Sequence, residues 1–314
     1  MTGFDVIGDV HGHADRLRNL LALMGYGERY GVWSHPTRTA VFVGDLIDRG
    51  AGQLETLRLV RAMVAAGSAQ IVLGNHEFNA VAYATHHPER DDYCRPHNEK
   101  HTSQHEAFLS DVAFGSPLHR SIIEWFMTIP LWLDLGGLRV VHACWSADHI
   151  EHLETQTGPG NPLTERIVID ATTEDTPTHD AIETVLKGPE VHLDGVRYLD
   201  KDGHPRDHAR LRWWDSEATT LRSAVLIEEA TQLRDEHGRP LDELPDRPLS
   251  DSEIQVYTEP DPVLFGHYWW RKENAEPVNP RATCLDFSVA KGGVLRAYRW
   301  DGEHEIDEHK FVDC

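Results

Sequence analysis

FDVIGDVHG, residues 4–12, is the first of three short motifs that decide the fold of this chain. The other two are GDLIDRG at residues 44–50 and GNHE at residues 74–77. Each motif follows a short apolar run, and stretches with helical spacing separate them. The order strand, loop, helix therefore repeats, and the polar residues are predicted to collect at one edge of a sheet, beyond the strand ends.

Four side chains in these motifs, Asp9, His11, Asp45 and Asn75, suit a pair of divalent cations. Two neighbouring cations clamp a phosphoryl group and activate a water, which requires hard oxygen ligands, neutral imidazoles and one bridging carboxylate. Alternation at a strand end predicts that Asp9 and His11 share one side, since residues two apart do so. The motifs therefore predict the first half of a two-metal phosphoesterase centre.

Each motif taken alone has an ordinary structural explanation. An isolated Asp-x-His is common, and GNHE suits a turn before a capped helix, with Asn75 and Glu77 serving the backbone. The ordered occurrence of all three favours the metal centre, because the spacing from Asp9 to Asp45 and from Asp45 to Asn75 fits one β-α-β unit of about 30 residues each time.

The three motifs resemble those of calcineurin-like metallophosphoesterases, in particular the branch of Ser/Thr phosphoprotein phosphatases and bacterial symmetrical diadenosine tetraphosphatases. Members share GDxHG, GDxxDRG and GNHE, followed by two isolated histidines. His142 and His267 are the candidates here, each at the end of an apolar strand. Trp269 stands where broader metallophosphoesterases carry a further histidine, which favours this branch.

The resemblance implies an α/β (α+β) fold, a four-layer α-β-β-α sandwich of two mixed sheets with an inserted cap region. It implies two divalent metal ions, manganese first, with iron, zinc or magnesium as alternatives. The two implied ligand sets are Asp9, His11 and Asp45 for one ion, and Asp45, Asn75, His142 and His267 for the other.

The resemblance also implies catalytic roles. His76 is the expected general acid, Asp48 orients its ring, and Arg49 clamps phosphate with its planar fork. A metal-bridging hydroxide is expected to attack phosphorus in line, without a covalent enzyme intermediate. The substrate is expected to be a small nucleotide-type compound, such as a dinucleoside polyphosphate or a phosphomonoester. A protein Ser/Thr phosphatase acting on a phosphoprotein is the alternative, and a non-catalytic metal-binding protein is disfavoured because every site position carries a competent residue.

Residues 1–314 are predicted to form a single metallophosphoesterase domain with cap insertions at about 86–120 and 150–260. In the first, His97, His101 and His105 are spaced to share a helical face, which allows a third metal site or, more simply, a solvated cap helix. In the second, Arg210 and Arg212 either bind substrate phosphates or are solvated arginines on a strand.

Other stretches give coarser predictions. Leu17, Leu20, Leu21 and Met24 mark an amphipathic helix, and residues 53–65 mark another. Helices are expected at 181–186 and 217–233. Residues 282–289 and 294–300 are expected to form a hairpin through Gly292-Gly293.

Composition limits the partners. The 314 residues include 30 Lys and Arg against 52 Asp and Glu, a formal net charge of −22. Such a field repels polyanions and membrane surfaces, so extended nucleic acid is a disfavoured substrate. No basic, apolar leader precedes the first strand, and no run approaches the ~20 apolar residues of a bilayer span. We therefore expect a cytoplasmic protein. The four cysteines lie far apart without a Cys-x-x-Cys motif, so neither a disulfide scaffold nor a zinc ribbon is expected.

Overall fold

The computed structural model describes residues 3–199, 203–227, 231–250, 253–254, 256–270 and 279–314. The chain divides into unit 1, Met1–Lys187 with Pro260–Cys314, and unit 2, Gly188–Glu259. Unit 1 is therefore assembled from both ends of the chain. The predicted single domain with insertions at 86–120 and 150–260 stays a prediction.

The helices and strands of the described residues are numbered in chain order. The helices are α1 (Ala14–Leu23), α2 (Gln53–Ala65), α3 (Asn75–Ala84), α4 (Glu99–Gln104), α5 (Glu106–Asp111), α6 (Pro117–Phe126), α7 (Ala147–Glu154), α8 (Glu165–Ala171), α9 (Pro177–Lys187) and α10 (Leu221–Ala224). The strands are β1 (Gly3–Ile7), β2 (Gly27–Arg29), β3 (Val32–Ser34), β4 (Arg38–Phe42), β5 (Ala69–Ile71), β6 (Trp132–Asp134), β7 (Arg139–Val141), β8 (Glu190–His192), β9 (Arg197–Leu199), β10 (Pro205–Arg206), β11 (His208–Leu211), β12 (Val225–Leu226), β13 (Leu233–Arg234), β14 (Pro240–Leu241), β15 (Val263–Phe265), β16 (Ala282–Cys284), β17 (Asp286–Phe287), β18 (Val294–Trp300) and β19 (Phe311–Asp313).

The first sheet of unit 1 joins the two ends of the chain. Its order is β17-β18-β1-β4-β5, with β19 paired to β18. Strands β1, β4 and β5 run parallel, whereas β18 is antiparallel to β1. Because the carboxyl ends of parallel strands meet at one edge, the three motifs that follow β1, β4 and β5 meet there too.

The second sheet of unit 1 supplies the two isolated histidines. Its order is β16-β15-β7-β6, and β15 runs parallel to both β7 and β16. His142 directly follows β7, and His267 follows β15 after one intervening glycine. The two histidines therefore leave this sheet at the same edge.

An apolar cluster joins the two sheets. Val6 and Val41 of the first sheet pack with Val140 and Leu264 of the second, and none of these side chains is exposed. Burial of branched apolar side chains between facing sheets is the main favourable contribution to such a sandwich. The predicted α/β fold with two mixed sheets is confirmed.

Helix α1 follows its predicted pattern. Leu17, Leu20 and Leu21 are fully buried and Met24 is nearly so, so the i, i+3, i+4, i+7 stripe faces the core. Helix α2 covers residues 53–65 as predicted, and α9 contains the helix predicted at 181–186. Within the described ranges, no helix combines the length and apolarity that crossing a membrane would require.

Unit 2 has a core of its own. It contains the antiparallel sheets β12-β11-β8 and β10-β9-β13-β14. Leu193, Leu211 and Leu221 are among the buried residues of its apolar cluster. The predicted helix at 217–233 is wrong. Of the described residues in this range, only Leu221–Ala224 are helical, because Val225 and Leu226 pair with β11 and sheet pairing overrides helical propensity there. Residues 228–230 of that prediction lie outside the described residues.

The predicted C-terminal hairpin is present only at its tip. Strands β17 and β18 pair antiparallel, but β16 pairs in parallel with β15 of the other sheet. The chain changes sheets at Leu285, which is buried in the cluster between them. Burial of this leucine favours the crossing over a continuous hairpin strand, because a bend at Leu285 lets the chain pair with one sheet before it and with the other after it.

Candidate metal centre

The loop after β1 is fixed to the loop after β4. Strand β1 ends at Ile7, so the prediction that strand alternation aligns Asp9 with His11 is wrong. His11 instead has a φ of 47°, in the left-handed region. The amides of Val10 and His11 both donate to the carbonyl oxygen of Asp45, at 3.1 and 2.8 Å. Backbone bonds between the two loops, rather than pleating, bring the ligand candidates together.

Asp45 lies where two groups of candidate metal ligands meet. His11, Asp45 and His76 form one group, and Asp45, His142 and His267 form the other; within each, the ligand atoms lie within 4.8 Å of one another. The carboxylate oxygens of Asp45 are 3.5 Å from His11 Nε2 and 3.4 Å from His142 Nε2. Since Asp45 is buried and belongs to both groups, it has the position of a bridging carboxylate.

Hydrogen bonds orient the imidazoles. Nδ1 of His11 donates to the carbonyl of Ile47 at 2.9 Å, and Nδ1 of His142 donates to that of Val43 at 2.7 Å. A neutral imidazole that donates from Nδ1 keeps its lone pair on Nε2, as a metal ligand must. Both rings are therefore held in the tautomer that coordinates through Nε2.

Asn75 contacts both histidines of the second sheet. Its Oδ1 lies 2.9 Å from His142 Nε2 and 2.8 Å from His267 Nδ1. Asn75 is the first residue of α3, and its side chain is buried. Side chains from both sheets thus converge on one amide oxygen, a ligand atom that divalent cations accept.

Asp9 approaches the strand end that carries His267. The amide of His267 donates to Asp9 Oδ2 at 3.1 Å, while buried Oδ1 has no hydrogen-bond partner in the described part of the chain. A Cβ at position 266 would collide with Oδ1, so Gly266 is required for this approach. An orphaned carboxylate oxygen in a buried site is an atom that a cation would satisfy.

The electrostatics of the site also fit bound cations. Burial, reinforced by Asp286 and Asp45, raises the pKa of Asp9 well above its usual range. Burial and then Asp45 raise the pKa of Glu77 to about 7, and burial raises that of Asp286 to about 6. Burial lowers the pKa of His11 to about 4, which keeps this ring neutral. Crowded buried carboxylates beside neutral imidazoles form a donor set that divalent cations stabilise.

His76 differs from the other histidines of the site. Its Nδ1 lies 2.6 Å from Asp48 Oδ2, and since a carboxylate only accepts, Nδ1 carries a proton. Burial lowers the pKa of His76, but Asp45 and Asp48 outweigh burial and raise it. The first ligand group, defined only by distances between ligand atoms, contains His76 where the predicted set has Asp9. What separates His76 from His11 is the direction of the pKa shift: the carboxylates around His76 favour the doubly protonated ring, which can donate a proton and cannot ligate a metal, whereas burial keeps His11 neutral.

Five residues of the predicted site have left-handed backbones. They are His11, Asp45, Asp48, Arg49 and His267, with φ values of 47, 50, 65, 82 and 75°. Each such non-glycine residue costs of order 1–3 kcal/mol, and such strain clusters at functional sites. The surrounding hydrogen bonds must offset this cost.

Glu77 fixes the backbone of two motif loops, a role beyond the capped turn considered from the sequence. Its Oε2 accepts from the amides of Asp45 at 2.8 Å and Gly74 at 3.1 Å. Its Oε1 accepts from the amides of Leu46 at 2.8 Å and Ile47 at 3.3 Å. Glu77 is fully buried, so these four amides have replaced its solvent shell.

Glu77→Gln is expected to destabilise the protein by roughly 2–4 kcal/mol. The new amide group turns one end toward two backbone donors, and each buried donor left unsatisfied costs about 1–3 kcal/mol. Denaturant unfolding with metal chelated measures this loss. Glu55→Gln, on the exposed side of α2, is the matched control and should change stability by less than about 0.5 kcal/mol. Equal stability of the two variants would contradict the role of Glu77.

Arg49 and Trp269 lie together. The Arg49 guanidinium is 5.4 Å from the centre of the Trp269 ring, and Lys291 Nζ is 4.0 Å from the same centre. Trp269, which occupies the position of the further histidine of broader relatives, therefore has cations as its partners. Cation–π contacts of this kind orient a guanidinium without neutralising it.

Arg210 and Arg212 belong to unit 2. Arg210 lies in β11, 3.9 Å from Glu190, and the amide of Arg212 donates to Ala224 at 2.7 Å. Their predicted role in substrate binding stays a prediction.

The three histidines predicted to share a helical face are separated in the structure. Only His101 lies within α4, and its Nδ1 donates to the carbonyl of Pro96 at 2.9 Å. His97 bonds the carbonyl of Tyr83, whereas His105 bonds Asp48. Among the described residues, no candidate metal group includes any of the three, so the structure does not support a third metal site there.

Asp286 and Gln53 support the site although no motif contains them. Asp286 accepts from the amides of Trp269 and Ser288, each at 2.9 Å. Gln53 accepts from the amide of Asp48 at 2.9 Å. Their partners are loop amides, whose positions are set by the fold and not by the local sequence.

The donor set of this site fits divalent metal ions. A family model described as calcineurin-like phosphoesterase matches residues 3–268, and the chain belongs to that family. The predicted resemblance to this family is confirmed.

Several proteins of known name are similar to this chain in sequence or in structure. An asymmetrical bis(5'-nucleosyl)-tetraphosphatase from Halalkalibacterium halodurans is 50% identical over 74 residues, 23% of this chain and 30% of that protein. A symmetrical bis(5'-nucleosyl)-tetraphosphatase from Vibrio cholerae serotype O1 is 25% identical over 315 residues, 96% of this chain and 97% of that protein. The chain spans between 30% and 59% of the length of the asymmetrical relatives. A protein serine/threonine phosphatase from Saccharomyces cerevisiae is similar in structure with a TM-score of 0.49 at 12% identity, covering 100% of this chain and 79% of that one, too weak a likeness to bear on function.

Proposed function

We propose that this protein hydrolyses the phosphoanhydride chain of a dinucleoside polyphosphate at a two-metal centre. The observation that carries the proposal is that Asp45 belongs to both ligand groups and that its carboxylate lies 3.9 Å from Nε2 of His76. Asp9, His11 and Asp45 would hold one ion, and Asp45, Asn75, His142 and His267 the other. Manganese is the proposed metal, because mixed carboxylate, amide and imidazole ligands suit it, as they also suit iron, zinc or magnesium.

Bound divalent ions would polarise the phosphoryl oxygens and lower the pKa of a coordinated water. The residues of the chain supply the remaining steps. His76 protonates the departing oxygen, Asp48 keeps Nδ1 of that ring protonated and oriented, and Arg49 binds phosphate oxygens through its fork. Nothing in this scheme requires a covalent bond between enzyme and phosphorus, so trapping a phosphorylated enzyme during turnover would contradict it.

The substrate class rests on the relatives and on charge. The relatives are named for bis(5'-nucleosyl) tetraphosphates, some for asymmetrical and some for symmetrical cleavage. A net charge of −22 disfavours extended polyanions, whereas a small nucleotide meets chiefly the local field of the cations. Arg210 and Arg212 are proposed to contribute to substrate binding. A cytosolic location is proposed because all four cysteines are free thiols.

A product assay tests the proposal. The protein, loaded with Mn²⁺, is given diadenosine tetraphosphate, adenosine monophosphate, an aryl monophosphate, an aryl diester and a phosphopeptide. We expect turnover of diadenosine tetraphosphate at least about tenfold above the phosphopeptide, a difference of about 1.4 kcal/mol in barrier. ADP as the sole product indicates symmetrical cleavage, and ATP with AMP indicates asymmetrical cleavage. Turnover confined to the phosphopeptide would favour a protein phosphatase instead.

A further inference from the structure

Asp48 has a second histidine partner outside the motifs. Nδ1 of His105 lies 3.0 Å from Asp48 Oδ1, while Nδ1 of His76 lies 2.6 Å from Oδ2. His76, Asp48 and His105 are 8%, 2% and 4% exposed, so water does not compete for these bonds. The carboxylate thus accepts one imidazole N–H on each oxygen.

The ring of His105 is held from the other side. It stacks on Phe108 with ring centres 4.8 Å apart and planes inclined by 27°, and it lies 5.5 Å from the ring of Tyr83. Phe108 is fully buried in α5 and Tyr83 lies in α3. The position of His105 is therefore set by packing, independently of its bond to Asp48.

We infer that His105 is a positioning residue for the general acid, which it serves through Asp48. Without His105, one oxygen of Asp48 loses its donor and the carboxylate can rotate about its Cβ–Cγ bond. Asp48 also sits on a backbone with a φ of 65°, so its side-chain contacts must hold a conformation that the backbone disfavours. The orientation of the His76 ring, and with it proton delivery to the leaving oxygen, then depends on His105.

The inference rests on the proposed function, because it assigns His105 a part in the same reaction. It differs from a purely structural role in one consequence. A leaving group that departs without a proton does not need an oriented acid, whereas a poor leaving group does. A residue that only stabilises the fold would affect both substrates alike.

The test compares phenyl phosphate, a poor leaving group, with 2,4-dinitrophenyl phosphate, a good one, using Mn²⁺-loaded protein. His105→Phe removes the N–H donor and keeps a ring on Phe108. His105→Asn replaces Nδ1 with an amide donor at a similar distance from the backbone. We expect His105→Phe to lower kcat on the order of tenfold for phenyl phosphate and by less than about threefold for the dinitrophenyl ester, with KM unchanged. His105→Asn should stay within about threefold of the natural protein on both esters.

Equal losses on the two esters, or no loss, would overturn the inference while leaving the proposed function intact. Absence of all turnover by the natural protein would instead overturn the proposed function. If only an anhydride is hydrolysed, the expected result is a loss in kcat without change in KM for His105→Phe, restored in His105→Asn; a change confined to KM contradicts the inference. If His105→Phe does not fold, His105→Ala, which also removes the N–H donor, takes its place: a steeper leaving-group dependence supports the role, and an unchanged dependence refutes it.

Discussion

Asn75→Ala is expected to lower the metal content and to reduce turnover by about 10³-fold or more. The Oδ1 of Asn75 is the atom on which His142 and His267 converge, so its removal takes an oxygen from the proposed second ion. A lost metal clamp removes several kcal/mol of transition-state stabilisation, and each 1.4 kcal/mol is a factor of ten in rate. Metal bound per chain is measured by atomic emission after desalting, and kcat is measured in saturating Mn²⁺.

Asn19→Ala is the matched control for this prediction. This substitution removes the same amide group on the exposed side of α1, so metal content and kcat should stay unaltered. Full metal content together with undiminished turnover in Asn75→Ala would remove Asn75 from the ligand set. Recovery of activity at high Mn²⁺ would show that Asn75 contributes to metal affinity.

His76→Ala is expected to keep its metal and to lose about 10²–10⁴-fold in kcat, the usual contribution of a general acid. The Nδ1 N–H of His76 donates to Asp48, and Nε2 of the same ring lies 3.9 Å from Asp45. Turnover of a substrate with a poor leaving group should fall most. The measurement is kcat for a phosphomonoester beside metal content by atomic emission.

The metal content decides between two roles for His76. If this histidine is a ligand, as its proximity to His11 and Asp45 would allow, His76→Ala loses metal in parallel with activity. If it is the acid, metal content stays within error of the natural protein. His309→Ala, an exposed histidine near the C-terminus, should change neither quantity.

Much of the fold was predictable because it is encoded locally. Apolar runs ending in polar loops identify β1, β4 and β5, and the leucine stripe identifies α1, since burial periodicity is a property of short segments. The failed helix at 217–233 shows the limit of this reasoning. Its apolar residues suit a helix or a strand, and pairing of Val225 and Leu226 with β11 determined the outcome.

Candidate ligands were predictable for a similar reason, because metal chemistry restricts residue types and the motifs keep them next to strand ends. The contacts that orient them were not. Strand alternation failed for Asp9 and His11, since those residues lie in a turn bonded to the loop of Asp45. Gln53, Glu77 and Asp286 hold loop amides whose positions exist only in the folded chain.

The sequence by itself determined the family and the set of chemically competent side chains, because these depend on residue identity and order. Only the tertiary structure decided that Glu77 holds the backbone of two motif loops and that His105, 57 positions from Asp48, completes the hydrogen bonds around the proposed acid. The physical reason is that a hydrogen bond between buried groups is made or lost when the donor–acceptor distance changes by a few tenths of an ångström. The packing of distant segments sets that distance, and local sequence patterns do not encode it.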